Sequence, residues 1–151
     1  MENRDQEFLA HAIQQARIGR DEGGVPIGGA LISDDGTVLA VGHNRRVQQN
    51  SAIRHGETDA LENAGRLPAS VYRRSTMYTT LSPCDMCAGA ILLYGIPRVV
   101  MGENRTFVGG EDYLRARGVE VIDLDSQECV ELMDEFIAVH PEIWNEDIGE
   151  K

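Results

Sequence analysis

His55, Cys84 and Cys87 restrict this chain more than any other residues. The cysteines form a C-x-x-C directly after Pro83, and the histidine lies far upstream, two residues before Glu57. One imidazole and two thiolates are ligands that zinc accepts, and three protein ligands leave one place on the metal for water. Glu57 stands where a carboxylate can move that water's protons. In such an arrangement the metal activates water for hydrolysis, and the glutamate is an acid–base group and not a ligand. A fold for this chain must therefore bring two distant segments to one point, with Glu57 beside it.

The local sequence suits that task. Pro83 fits a helix entry, where a missing N–H costs least. Sulfur at a helix start is favoured as the anion by exposed amides and the helix dipole. With two thiolates and a neutral histidine the zinc centre is formally neutral. The blander reading is a structural zinc site, which usually closes with a fourth Cys or His. The candidates for that closure are Cys129, His11, His43 and His140. None has paired spacing, and the apolar surroundings of Cys129 place it in the core. The open, catalytic reading is favoured.

The chain has 151 residues, 42% of them hydrophobic, which suits one domain spanning 1–151 with its own core. No apolar run approaches the roughly 20 residues that cross a bilayer. The start, MENRDQEFLAHAI, does not read as a signal peptide. The three cysteines are an odd number, which argues against a disulfide framework and for a reducing cytoplasm. The net charge of −11 is a poor match to a polyphosphate partner. Arg45-Arg46 and Arg73-Arg74 are the tight basic pairs, and both read as solvated surface. The expected substrate is a small molecule, with neither nucleic acid nor membrane as partner.

Apolar spacing predicts a helix over 6–20, with Phe8, Leu9, Ala12, Ile13, Ala16 and Ile18 on one face. Strands are expected over 27–32 and 37–41, joined by the turn Asp34-Asp35-Gly36. Residues 42–46 read as a loop, and a helix is expected from His55 to Asn63, capped by Gly65. A central strand over 75–80 leads to a helix over 85–94 that exits at Gly95. Strands over 99–101 and 119–122 alternate with helices over 111–117 and 127–139, and a short last segment follows Pro141. That alternation predicts an α/β fold, a three-layer α/β/α sandwich around one mixed five-stranded sheet.

The flanking runs carry a resemblance. Gly23-Gly24-Val25-Pro26-Ile27-Gly28-Gly29, Gly42-His43-Asn44, Ser82-Pro83-Cys84-Asp85-Met86-Cys87, Tyr94-Gly95-Ile96-Pro97-Arg98 and Glu146-Asp147-Ile148-Gly149-Glu150 are among the stretches similar to fungal-type cytosine deaminases of the cytidine deaminase superfamily. The resemblance covers nearly the whole chain. It implies a cytidine-deaminase-like fold, a homodimer and one Zn2+ per subunit, held by His55, Cys84 and Cys87 with Glu57 catalytic. It also implies a substrate pocket made by Asn44, the backbone at Gly56 and Ser82, and Asp147, with aromatic walls from Phe107 and Trp144. The chemistry agrees. The Asn44 amide can pair with O2 and N1–H of cytosine, and an ionised Asp147 can accept from the N4 amine.

Val47, Arg54, Thr106 and Asn145 depart from the fungal pattern. A smaller Val47 is expected to enlarge the pocket, and these positions leave the exact base open. The expected reaction is hydrolysis of cytosine to uracil and ammonia, with 5-fluorocytosine and 5-methylcytosine as trial substrates. Two alternatives stand beside it: deamination of guanine or another amino-heterocycle, and a zinc-stapled binding module without turnover. His43 is expected to be structural, and the C-terminal segment from Trp144 to Ile148 is a candidate gate.

Overall fold

The computed structural model describes residues 2–150, so Met1 and Lys151, the ends of the expected single-domain span, lie outside the described residues. In chain order the elements are α1 (Glu2–Asp21), β1 (Gly28–Ser33), β2 (Val38–His43), α2 (Arg46–Gln49), α3 (Gly56–Ala64), α4 (Ala69–Tyr72), β3 (Ser75–Leu81), α5 (Asp85–Tyr94), β4 (Arg98–Glu103), α6 (Glu111–Ala116), β5 (Glu120–Asp123), α7 (Gln127–Val139) and α8 (Pro141–Asp147). The five strands form one sheet in the order β2-β1-β3-β4-β5. β1 is antiparallel to both β2 and β3, whereas β3, β4 and β5 run parallel. This is the mixed, five-stranded arrangement expected from the alternation of elements.

Strand alternation sorts the core into two layers. Ala30, Ile32, Tyr78 and Val100 face one side, where they meet Leu9, Ala12, Ile13 and Ala16 of α1 and Cys129 and Leu132 of α7. Leu31, Met77 and Val99 face the other, against Ala88 and Ile91 of α5 and Leu114 of α6. A third cluster of Val25, Ile27, Leu81, Met133, Phe136 and Trp144 lies where α7 and α8 close over one end of the sheet.

Two adjacent glycines let helices approach both faces of β1. A Cβ at Gly28 would fall 1.9 Å from the Ala12 carbonyl of α1, and one at Gly29 would fall 2.7 Å from the Gly56 carbonyl of α3. This tight packing is main chain against main chain. It seats the first residues of α3 directly on the sheet.

Several sequence expectations need correcting. α1 begins earlier than residue 6, and buries Asp5 through hydrogen bonds with Tyr78 and Arg98. Ile18 is 38% exposed, and Gly19 takes the inward position against His43. Residues 42–46 are not a simple loop. β2 continues through Gly42 and His43, which pair with Gly29 and Gly28, and α2 begins at Arg46. The Arg45-Arg46 pair is not solvated surface: Arg45 binds the buried Asp59, and Arg46 binds Glu146 of α8. Arg73 and Arg74 are exposed as expected. No helix among the described residues is long and apolar enough to cross a membrane.

Candidate metal centre and active site

β3 and β4 end side by side, and the chain turns from β3 into Ser82-Pro83-Cys84. The carboxyl ends of parallel strands are where open α/β sheets place ligands. Cys84 is the N-cap of α5, and Cys87 lies in its first turn. His55 is the N-cap of α3, and its N–H donates to Thr58 Oγ1 at 2.8 Å. The two helix starts therefore converge on one point.

His55, Cys84 and Cys87 offer ligand atoms within 4.8 Å of one another, and among the described residues they are the group so placed. His55 Nδ1 lies 3.4 Å from Cys84 Sγ and 3.7 Å from Cys87 Sγ. Sulfur and nitrogen ligands of one tetrahedral zinc stand about 3.5 Å apart, given bonds of about 2.3 Å and 2.0 Å. The donor set fits zinc in geometry as well as type. Cys129 is buried against α1 and the sheet and closes no fourth position.

The ionisation of the sulfurs points the same way. The Cys84 thiol is held down to about 4, first by a hydrogen bond from Cys87 and also by one with His55. The same bond to Cys84, followed by burial, pushes Cys87 up. The two sulfurs share one proton, and a dication is the species that lets both ionise. Burial opposes charge on His55, but its bond with Cys84 and the nearby Asp147 raise its pKa on balance. Asp147 Oδ1 stands 3.4 Å from His55 Nε2, the ring nitrogen turned away from the sulfurs. A carboxylate there is the usual orienting partner of a zinc-bound imidazole.

Glu57 is only 3% exposed, and its carboxyl is pushed up to about 7, by burial first and then by the negative Cys84. It faces a cavity of about 500 Å³ together with His55, Cys84, Ser82, Phe107, Trp144 and Asp147. That volume lies in the range of small-molecule sites. Phe107 and Trp144 meet edge to face with ring centroids 6.1 Å apart. Asn44 and Gly56 lie one layer behind the wall. Asn44 is fully buried, and its amide donates to Asp147 Oδ2 at 2.9 Å. The Ser82 N–H donates to the Glu103 carbonyl, which leaves the Ser82 carbonyl as the backbone group able to meet a ligand.

The structure adds residues that sequence reasoning missed. Arg46 lines the cavity, and its guanidinium lies 3.6 Å from Asp147 Oδ2. Asp59 joins Arg45, Arg54 and the His43 N–H, behind both Asn44 and His55. Glu111 holds the Ser82 hydroxyl. No sequence signal distinguished these charges from surface ones. The four departures from the fungal pattern sit elsewhere: Val47, Arg54, Thr106 and Asn145 are all absent from the cavity wall. Val47 is exposed, so its size does not enlarge the cavity. His43 is buried between Gln15 and Glu22, a structural placement.

Residues 2–103 match the family model described as the cytidine and deoxycytidylate deaminase zinc-binding region. A cytosine deaminase of Candida albicans is 59% identical over 146 residues, which is 97% of this chain and 97% of that one. A tRNA-specific adenosine deaminase of Haemophilus influenzae is 32% identical over 143 residues, covering 87% of this chain and 82% of the other. Among solved structures, a guanine deaminase of Nitrosomonas europaea superposes with a TM-score of 0.72 at 24% identity, over 86% of this chain and 82% of that one, a likeness of fold alone.

Proposed function

Because the chain belongs to the cytidine and deoxycytidylate deaminase family, we propose that it hydrolyses free cytosine to uracil and ammonia at the centre formed by His55, Cys84, Cys87 and Glu57. The observation that carries this reading is a buried Glu57 facing the same small cavity as a three-ligand zinc set. A purely structural site has no use for that carboxylate. The cytosine deaminase of Candida albicans matches nearly end to end, which favours a free pyrimidine over a nucleic acid. The net charge of −11 favours it too.

Zinc, when bound, supplies an acidified water, with its pKa lowered from about 15.7 to roughly 7 in the best-known sites. The protein's own groups do the rest. Glu57 takes a proton on its carboxylate and delivers it to the ring nitrogen, then carries another to the leaving amine. Buried on the cavity wall beside the zinc set, that carboxyl is placed both to accept and to donate. Phe107 and Trp144 hold the flat ring. Asp147 accepts from the exocyclic amine, and Ser82 lines the same cavity. The Asn44 amide exchanges its bond with Asp147 for the ring's O2 and N1–H, beside the backbone of Gly56. Small 5-substituents are accepted, so 5-fluorocytosine and 5-methylcytosine are substrates.

The chain acts as one zinc-dependent domain in a reducing cytoplasm, where its three free cysteines stay reduced. It works as a homodimer. The supporting feature is a groove of about 1070 Å³ between α3, α4 and α5, lined in part by Ile53, Tyr72, Leu93 and Tyr94. Ile53 is 64% exposed and Leu93 75%, an apolar surface of the kind that partners cover.

Glu57→Gln is expected to keep fold and zinc while losing at least about two orders of magnitude in ammonia release from cytosine. Near-normal turnover in that variant sinks the mechanism. Activity on guanine with none on cytosine overturns the choice of base.

A further inference from the structure

Glu111 opens α6 and is only 4% exposed, yet it is not simply an acid at a helix start. Its Oε2 accepts from the Ser82 hydroxyl at 2.6 Å, and its Oε1 accepts from Asn104 Nδ2 at 3.2 Å. The Ser82 oxygen in turn accepts from the Gly109 N–H at 3.0 Å. The Gly109 N–H can only donate, so the Ser82 oxygen is its acceptor and the hydroxyl proton points toward Glu111. That leaves the hydroxyl's lone pairs for the Gly109 amide, and the relay has one direction.

We propose that Glu111 is a positioning residue for the deaminase site: through Ser82 it fixes the segment 104–110, and with it the Phe107 wall, against the metal-binding turn. The relay joins the end of β3, the end of β4 and the start of α6. A second stitch runs beside it, from the Gly110 N–H to the Pro83 carbonyl at 2.8 Å. A Cβ at Gly109 would fall 2.0 Å from that same carbonyl, so the segment lies flat on Pro83. Phe107, Val108 and Gly109, which the stitches hold, all line the cavity. Cys84 follows Pro83 directly, so one set of hydrogen bonds ties an aromatic wall to a zinc ligand. Arg115, one turn along α6, lies 3.7 Å from Glu111 Oε1 and offsets its charge.

The inference rests on the deaminase reading only for its kinetic consequence. Its geometric part is read independently through Trp144, the sole tryptophan, whose ring faces Phe107. The experiment compares Ser82→Ala, Glu111→Ala, the double variant and Glu111→Gln, each loaded with zinc. Three readouts apply: tryptophan emission, hydrogen exchange over 105–110, and cytosine kinetics. Ser82→Ala and Glu111→Ala are expected to change Trp144 emission and to speed exchange over 105–110 by about tenfold or more, with β4 unchanged. KM should rise about tenfold while kcat falls less, since the wall binds the ring before and during reaction. The double variant should be no worse than either single one, as for partners in one relay. Glu111→Gln keeps an acceptor for the hydroxyl and should recover most of the KM.

Additive effects in the double variant, or wild-type emission, exchange and KM in Ser82→Ala, overturn the proposal. If Glu111→Ala does not fold, Ser82→Ala and Glu111→Gln carry the test alone. A wild-type protein that releases no ammonia from cytosine removes the deaminase reading and leaves the emission and exchange arms to judge the anchor.

Discussion

The Asp59 carboxylate is fully buried and takes hydrogen bonds from Arg45, Arg54 and the His43 N–H. These partners flank Asn44 on both sides and precede His55, so one side chain spaces a proposed substrate contact from a metal ligand. Asp59→Ala strands two guanidiniums. They are partly exposed and can rehydrate, so the expected cost is about 3 kcal/mol, the low end for a broken buried pair. Urea denaturation measures it. Asp5 gives a pH test. Burial alone would raise its carboxyl, but the hydrogen bonds from Arg98 and Tyr78 hold it below the ordinary value of 3.8. Its contribution to stability is therefore complete above that value and fades as pH falls through the depressed one. The stability gap between wild type and Asp5→Asn should stay constant from about pH 8 to about pH 5, and narrow only below the ordinary carboxyl range. A gap that widens in acid contradicts the assignment.

Among elements, β1 sits between α1 on one face and α3 on the other, and its glycines set both distances. Gly28→Ala drives a methyl into the Ala12 carbonyl and should loosen α1, costing about 1–3 kcal/mol while zinc affinity is kept. Gly29→Ala drives one into the Gly56 carbonyl, beside His55, and should lower zinc affinity as well as stability. Competition with a chromogenic chelator separates the two variants, and equal zinc affinity in both rejects the division of labour. The strands and long helices were legible because their apolar periods are strong. α5 begins after Pro83 and ends at Gly95, and α7 ends just before Pro141. The one-turn helices α2 and α4 were not legible, because such short helices carry no period to read. The extension of β2 through Gly42 and His43 was equally hidden, since pairing with β1 and the bond from His43 to Asp59 decide it.

For the whole molecule, the proposed dimer face lies against both ligand-bearing segments. Ile53 stands two residues before His55, and Leu93 and Tyr94 end the helix that begins at Cys84. Leu93→Glu places a charge on that face and should yield a monomer by sedimentation, with zinc held less tightly. A wild-type protein that sediments as a monomer rejects the assembly. The sequence by itself determined the His55, Cys84 and Cys87 set with Glu57 beside it, the order of the strands and longer helices, and a net charge of −11. Each of these is written in residue type and short-range spacing, which the chain carries before it folds. Only the tertiary structure decided that Arg45 and Arg46 are ion-pair partners and that Val47 stays off the cavity wall. It also decided that Asn44 stands behind Asp147, that Asp59 meets Arg45 and Arg54, and that Glu111 meets Ser82. Those outcomes depend on which distant segments meet. A buried carboxylate and a solvated one look alike in sequence until the sheet brings an arginine or a serine to it.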